Sequence, residues 1–245
     1  MTPRLFAFAS SAVIVLLGLY AIHAAEEPLG YRIAYGTYLG GSQWDQAREI
    51  IVRPDGSVLV GMQTCSTGLP TTPGAVQSQY AGDDPALGHG GVYGGDCYLA
   101  RLSADGRRLL AATYFGGSKQ ERNVYGLALD RVGNVVFTSA TRSPDAPTTP
   151  GCFQRRFGGG PSDMLVAKLN ADLTRLLWRT YATYLGGKGD DLIRSLALGP
   201  EGEVYLVGST SSDDFPVTDG AVQKQHGGKG DAFVVKLMPV LGQRP

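Results

Sequence analysis

Three stretches of the chain repeat one four-residue pattern, namely Tyr38-Leu39-Gly40-Gly41, Tyr114-Phe115-Gly116-Gly117 and Tyr184-Leu185-Gly186-Gly187. Two further patterns follow each stretch in the same order. The first occupies residues 71–77, 148–154 and 217–223, and it ends in Gln each time; the second occupies residues 96–102, 163–169 and 231–237, and it begins with Asp96, Asp163 and Asp231. Three patterns in a fixed order, each in triplicate, indicate an internal repeat.

Within each copy, short apolar and β-branched stretches alternate with turns of Gly, Pro, Asp and Asn, which is the signature of strands and hairpins. In the third copy, residues 192–198 and 204–207 flank Gly199-Pro200-Glu201-Gly202. Pro200 presets its own φ for a turn, and Gly202 accepts a positive φ without steric cost. A third strand begins at the repeated Asp, and a fourth ends at the Gly-Gly corner. Four antiparallel strands per copy predict the blade of a β-propeller.

The expected fold is therefore all-β and propeller-like, with three four-stranded blades at about residues 38–114, 114–184 and 184–238. The third copy lacks a fourth strand, because residues 238–245 include two Pro and one Gly. Residues 31–38 look like an orphan fourth strand ahead of the first copy. We predict that this N-terminal strand completes the last blade, and that residues 26–245 form one three-blade unit.

Three blades are fewer than the four to eight of ordinary propellers, and an open arc leaves a strand edge unpaired. A partner is therefore expected to cover the open edges. Two copies related by a two-fold axis, each lending residues 31–38 to the other, would close six blades. A different protein covering the edges is the other solution.

The N-terminal segment predicts export. Residues 5–25 contain no Lys, Arg, Asp or Glu and follow Arg4, as in a signal peptide. As one hydrophobic helix the segment would also be long enough to span a bilayer, so a cleaved signal and a retained transmembrane anchor both remain open. Charge asymmetry places the rest of the chain outside the cytoplasm, either on the periplasmic side of the inner membrane or, after cleavage, in the periplasm or medium.

Composition excludes several classes of function. The 22 Lys and Arg balance the 22 Asp and Glu, so the chain lacks the basic surface of a nucleic-acid binder. Three His, three Cys and no Cys-x-x-Cys pair leave little material for a metal site. No Gly-x-Ser-x-Gly elbow occurs, and no Ser, His and acid group stands out as a triad. We expect neither a cofactor nor a metal nor catalytic residues.

The repeat resembles a known family. Residues 202–208 read Gly-x-Val-Tyr-x-Val-Gly, residues 216–223 read Pro-x-Thr-x-Gly-Ala-Val-Gln, and residues 231–237 read Asp-Ala-Phe-Val-x-Lys-Leu. Together with the Tyr-Leu-Gly-Gly pattern, these motifs resemble the SBBP-type β-propeller repeat of exported bacterial and archaeal proteins. The resemblance covers about residues 31–238 and is closest in the third copy. It implies a propeller scaffold outside the cytoplasm and carries no catalytic motif.

Several side chains are candidate contacts. Trp44, Tyr80 and Tyr93 could form an aromatic surface for a sugar or a protein, or they could pack between blades. The repeated aspartates could form a ring of ligands, although capping of the turn that enters each strand is favoured. His226 corresponds to Phe157 in the second copy, so a packing role is favoured over metal binding.

The cysteines predict one disulfide. Cys65 follows the second strand of the first copy and Cys97 begins the third, so neighbouring strands would bring them together in an oxidising compartment. Cys152 occupies the place of Ala75 and Ala221, which predicts a free structural thiol.

The function expected from these features is non-catalytic: an exported, membrane-anchored accessory subunit that binds or scaffolds a larger membrane or envelope complex through its incomplete edge. A propeller that binds carbohydrate or another surface ligand through aromatic loops is the alternative. A glycan-active enzyme is the third candidate. Since propellers host unrelated activities, the step from this fold to a function is one of analogy.

Overall fold

The computed structural model describes residues 32–82, 94–177 and 182–239. The chain divides into two units, Met1–Gly36 and Thr37–Pro245. All regular secondary structure in the described residues is β-strand, so the expected all-β class is confirmed. These residues include no helix with the length and hydrophobicity of a membrane span. The hydrophobic segment at residues 5–25 lies outside the described residues.

Three antiparallel sheets follow one another along the chain. The first contains β1 (Asp45–Val52), β2 (Val58–Thr64), β3 (Asp96–Leu102) and β4 (Leu109–Phe115). The second contains β5 (Gly126–Leu129), β6 (Val135–Thr141), β7 (Asp163–Leu169) and β8 (Ala182–Leu185). The third contains β9 (Asp191–Leu198), β10 (Val204–Thr210) and β11 (Asp231–Leu237). Strands pair in chain order, as in a propeller-like fold.

The first hairpin of each sheet depends on a glycine with positive φ. Gly56, Gly133 and Gly202 have φ of 76°, 83° and 89°. Each donates its N–H to the carbonyl three residues earlier; for Gly56 this is the Arg53 oxygen, at 2.9 Å. The turn at Gly202 is the one that the sequence predicts.

Consecutive sheets pack face to face. β2, β6 and most of β7 are buried along their length, which suits central strands that are covered on both faces. Phe115 and Phe137 join the first two sheets, with ring centroids 5.1 Å apart and planes at 85°. A second apolar cluster, which includes Met164 and Ile193, joins the second sheet to the third.

The series of sheets ends in exposed faces on both sides. Ile50 and Val52 of β1 are largely exposed, and so is Val234 of β11. The predicted fourth strand at residues 31–38 is not formed over its described part, residues 32–38, and the third sheet has three strands. A strand needs a neighbour to hydrogen-bond with, and no described strand pairs with these residues.

Candidate functional site

The candidate site is the outer edge of β11, where the other two sheets have a fourth strand. A cavity of about 1310 Å³ lies beside it. Part of its lining consists of Ser212, Phe215, Gln223, His226, Phe233 and Val235. We call the edge of β11 together with these side chains the open edge. Its structure is best understood from the two sheets in which the corresponding position is filled.

In the first sheet, Gln77 holds the fourth strand in place. Its backbone oxygen accepts the N–H of Tyr114 at 3.0 Å, and its backbone N–H donates to Thr113 Oγ1 at 3.0 Å. Its side-chain oxygen accepts the N–H of Gly116 at 3.0 Å. One glutamine at the end of a loop therefore binds two residues of β4 and the Gly-Gly corner that follows this strand.

The second sheet repeats this arrangement with Gln154. Its backbone oxygen accepts the N–H of Tyr184 at 3.0 Å, and its backbone N–H donates to Thr183 Oγ1 at 2.8 Å. Its side-chain oxygen accepts the N–H of Gly186 at 3.3 Å. Because two independent copies agree, these contacts define what a fourth strand needs in this repeat.

A buried tyrosine completes each filled position. The Tyr114 hydroxyl donates to the Ser66 carbonyl at 2.7 Å and accepts the N–H of Leu69 at 2.8 Å. The Tyr184 hydroxyl donates in the same way to the Ser143 carbonyl at 2.8 Å. Both tyrosines are buried, so the loop before the glutamine closes around the ring and satisfies its hydroxyl group.

A further aromatic ring packs against each tyrosine edge to face. Tyr80 lies 6.1 Å from Tyr114, and Phe157 lies 6.0 Å from Tyr184, measured between ring centroids. In the third sheet the corresponding residue is His226, whose Nε2 is 3.3 Å from the Thr210 carbonyl. The ring of His226 thus borders the cavity at the place where its counterparts contact a tyrosine.

The loop at the open edge has its hydrogen bonds although no described fourth strand pairs with β11. Gln223 Nε2 donates to Asp231 Oδ2 at 2.8 Å, as Gln77 does to Asp96 at 3.1 Å. Asp231 also accepts the N–H of Gly227 at 2.7 Å. The loop therefore already holds the glutamine in place, while no described strand contacts its backbone as β4 and β8 contact its two counterparts.

The repeated aspartates hold loops. Asp96 Oδ2 accepts the N–H of Ala81 at 2.7 Å, and Asp163 Oδ2 accepts that of Gly158 at 2.6 Å, just as Asp231 binds Gly227. Each of these aspartates thus accepts a backbone N–H from a loop that precedes its strand. Among the described residues, no three His, Cys, Asp or Glu side chains gather as a metal site would require.

The Gly-Gly corners bring carboxyl groups from two sheets together. The second glycine donates its N–H to an acid of the following sheet: Gly41 to Asp45 at 2.7 Å, Gly117 to Glu121 at 3.0 Å and Gly187 to Asp191 at 2.8 Å. The first glycine leaves no room for a side chain. A Cβ at Gly186 would lie 2.7 Å from Asp191 Oδ2 and 2.8 Å from Asp163 Oδ1.

The buried carboxyl pairs have altered acidity. Burial, assisted by the charge of Asp191, raises the pKa of Asp163 to about 7. Burial likewise raises the pKa of Asp96 and of Glu121, which form the matching pair at Gly116. At Gly40 the three atoms nearest to a Cβ all belong to Asp45, and the closest is Oδ2 at 2.8 Å.

The predicted aromatic surface is divided in the structure. Trp44 is 40% exposed just before β1. The Tyr80 ring instead packs on Tyr114 inside the first sheet, which is the packing alternative. Tyr93 lies outside the described residues.

Cys65 follows β2, and Cys97 lies in β3, which pairs with β2. Cys97 pairs with Gln63 in the sheet register, so Cys65, two residues further along, is diagonal to it. Diagonal neighbours lie about 7 to 8 Å apart, beyond the usual span of a disulfide. Cys97 is a free thiol whose Sγ donates to the Arg122 carbonyl at 3.6 Å. Cys152 is also a free thiol, and the predicted Cys65–Cys97 pairing stays a prediction.

Sequence reasoning missed Gln77, Gln154 and Gln223 as the residues that hold the fourth strands. The signal was present, since each closes the same repeated pattern, but a glutamine in a polar loop has no motif chemistry of its own. Its role becomes visible only when β4 and β8 lie beside it.

Sheets of three and four antiparallel strands, each built from one repeated unit, define a repeat protein of the β-propeller type. A family model described as SBBP, a β-propeller repeat, matches residues 180–216, a span that includes β8, β9 and β10. The chain is an SBBP-type repeat protein, as its motifs suggested. Comparison with curated proteins gave no match.

Proposed function

We propose that this chain is a non-catalytic binding or scaffold protein that docks on another polypeptide through its open edge. One observation carries the proposal: the third sheet has the glutamine, loop and aromatic side chains of a fourth-strand site, but the described residues supply it with three strands. Adding a strand to an exposed sheet edge is a common mode of recognition, in which main-chain hydrogen bonds give affinity and side-chain pockets give specificity.

The surface around the open edge supports this proposal. Val234 is 78% exposed on β11, and Val222 and Phe153 are exposed close by in the cavity wall. An apolar edge with unpaired backbone groups promotes aggregation unless something covers it. A partner strand would satisfy the backbone groups, and the rest of that partner would cover the apolar face, as the third sheet covers Val166 of the second.

A finer proposal concerns how the propeller is closed and where in the cell the chain acts. The partner closes the arc of three sheets into a propeller, and the strand at residues 31–38 takes part in that closure. The uncharged segment at residues 5–25 supports export and a membrane tether. The chain then acts outside the cytoplasm as an accessory subunit of a membrane or envelope complex.

A ligand-binding propeller is the second candidate, supported by the exposed Trp44. A glycan-active enzyme has less support, since the described carboxyl groups with strongly raised pKa values are buried between sheets, where a glycan would not reach them. Trp44→Ala separates the ligand-binding candidate from docking, because Trp44 belongs to the first sheet and not to the open edge.

Hydrogen exchange combined with native mass spectrometry tests the docking function. In the native particle, purified with its membrane segment in detergent, the amides of β11 are expected to be protected, and Val234→Glu is expected to release the partner. Val132→Glu is the matched control, because Val132 is 79% exposed, in a turn of the second sheet. A monomeric particle with unprotected β11 amides contradicts the proposal.

A further inference from the structure

We propose that the strand which fills the open edge is residues 33–39 of a second copy of this chain. The inference rests on the docking function above and names the partner. It is carried by a match between what the open edge lacks and what the N-terminal segment offers, group by group.

The segment has the sequence of a fourth strand. Residues 112–117 read Ala-Thr-Tyr-Phe-Gly-Gly and residues 182–187 read Ala-Thr-Tyr-Leu-Gly-Gly, whereas residues 36–41 read Gly-Thr-Tyr-Leu-Gly-Gly. Aligned in this way, residues 33–39 correspond to β4. In the structure, Tyr38 lies in no strand and its side chain is fully exposed, although its two counterparts are buried.

The hydrogen-bonding groups of Thr37, Tyr38 and Gly40 correspond to groups that the glutamine binds in the filled sheets. By the pattern of the filled sheets, Gln223 accepts the N–H of Tyr38 and donates its own N–H to Thr37 Oγ1. Its side-chain oxygen accepts the N–H of Gly40. Because Asp231 already positions this glutamine, docking needs little rearrangement of the loop.

The tyrosine pocket is present as well. The Ser212 carbonyl and the Phe215 N–H, which correspond to the partners of the Tyr114 hydroxyl, lie 3.4 Å apart (N to O) in a weak turn bond. The rings of Phe215 and Phe233 are 5.0 Å apart in the wall of the cavity, which His226 also lines. The Tyr38 ring would contact His226 as Tyr114 contacts Tyr80.

Docking also completes the third corner. The glycines at the two filled corners each touch one carboxyl from their own sheet and one from the next. At Gly40 the three atoms nearest to a Cβ all belong to Asp45, of the sheet that follows it. On the open edge of a second copy, Gly40 would meet Asp231 in the place that Asp163 has beside Gly186.

The geometry points to a second copy and not to the same chain. Gly41 donates a hydrogen bond to Asp45, so residues 37–41 are held at the start of the first sheet, whereas the open edge belongs to the third. The second sheet lies between them, with β5 packed on β1 and β9 packed on β5. Reciprocal donation by two copies gives six sheets, within the range of about four to eight for closed propellers, and a two-fold symmetric assembly.

Photo-crosslinking of isotope-labelled copies tests the inference. A photoreactive phenylalanine analogue replaces Val234, which the register of β3 with β4 places opposite Thr37. Full-length light and ¹⁵N-labelled copies are mixed in detergent at low concentration, concentrated and irradiated. We expect crosslinks between light and heavy chains at residues 33–48, the tryptic peptide that contains the segment. The same probe in place of Val132 should give none.

Two tyrosine variants sharpen the test. Tyr38→Ala should lower the crosslink yield by at least about tenfold, since it removes a buried aromatic anchor. Tyr35→Ala should leave the yield unchanged, because the corresponding residue of β4 is Ala111. As Tyr38 is exposed in the single chain, its loss should not impair folding, which circular dichroism checks.

The outcomes separate the two proposals. One outcome is a crosslink to a different protein in source membranes, with no light–heavy product in the purified mixture. This outcome overturns the inference that the strand comes from a second copy, and it leaves the docking function standing. Crosslinks within single chains only, or a monomer that gives none, overturn both. Equal loss of yield for Tyr35→Ala and Tyr38→Ala overturns the assigned register.

Discussion

The second and third sheets come from the same repeat, yet they differ in exposure at matching positions. Val166 of β7 is fully buried, whereas Val234, at the same place in β11, is 78% exposed. The loops beside these strands share the same contact between glutamine and aspartate. The difference therefore lies in the neighbouring sheet: Val166 belongs to the apolar cluster that joins the second sheet to the third, whereas no described sheet covers the corresponding face of β11.

This comparison separates two contributions to the repeat. The loop network forms from the residues of one sheet alone, because Asp231 binds Gln223 and Gly227 without a fourth strand. Burial of the strand face comes only with a further sheet that packs on it, as the third sheet packs on the second. A site that is already organised loses less conformational entropy on binding, which favours docking at the open edge.

The largest expected loss of stability comes from removing the buried ring of Tyr184. Tyr184→Ala should lower the free energy of unfolding by about 4 kcal/mol, because it removes a fully buried ring and leaves a cavity. Tyr38→Ala should leave the unfolding free energy of the dilute single chain unchanged, since Tyr38 is fully exposed. Urea titration followed by circular dichroism measures both.

A specific result would break this comparison. If Tyr38→Ala destabilises the dilute chain as much as Tyr184→Ala does, Tyr38 is buried within its own molecule. Tyr35→Ala, a short distance upstream, controls for general effects of losing an aromatic side chain near the N-terminus.

The next effect concerns the corner glycines. Gly186→Ala should cost about 2 to 3 kcal/mol of unfolding free energy, because the added Cβ overpacks a site bounded by two carboxyl groups. Gly68→Ala is the matched control, since a Cβ there meets no atom within 4 Å. Thermal unfolding by calorimetry compares the two variants, and equal losses would show that Gly186 has room after all.

Protonation of the buried carboxyl pair should make stability depend on pH. The pKa of Asp163 is raised to about 7 in the folded chain, above its unfolded value, so the folded state binds the proton more tightly. The group therefore stabilises the fold increasingly as pH falls from about 7 toward about 4, by about 2 kcal/mol between pH 8 and pH 5.

Asp163→Asn should remove that part of the pH dependence, as measured by urea unfolding at pH 5 and pH 8. The pair of Asp96 and Glu121 still titrates in this variant, so a smaller slope of the same sign should remain. Asp231→Asn, at the same repeat position, is the control and should keep the full contribution of Asp163. An unchanged slope in Asp163→Asn would contradict the assignment.

The sequence predicts the strands well because the repeat supplies three independent copies of each pattern. β11 begins at the repeated Asp231, and Gly202 turns the chain where the Pro-x-Gly pattern requires it. The sequence could not reveal the carboxyl pair of Asp163 and Asp191, because these residues lie 28 positions apart and meet only when two sheets pack. It also placed Tyr38 in a strand, which needs a neighbouring strand, and none of the described strands pairs with it.

The smallest effect concerns the threonine before each tyrosine. Thr183 Oγ1 and Thr37 Oγ1 both donate to the carbonyl of the following tyrosine, at 2.8 Å and 3.0 Å, and Thr183 Oγ1 also accepts the N–H of Gln154 at 2.8 Å. Thr183→Val should therefore cost about 1 kcal/mol, because a part-buried N–H loses its acceptor. Thr37→Val should cost nothing in the dilute chain and should weaken self-association. Urea titration and sedimentation at matched concentrations read the two effects separately. If Thr37→Val leaves association intact, the strand docks without the glutamine contact that defines the two filled sheets.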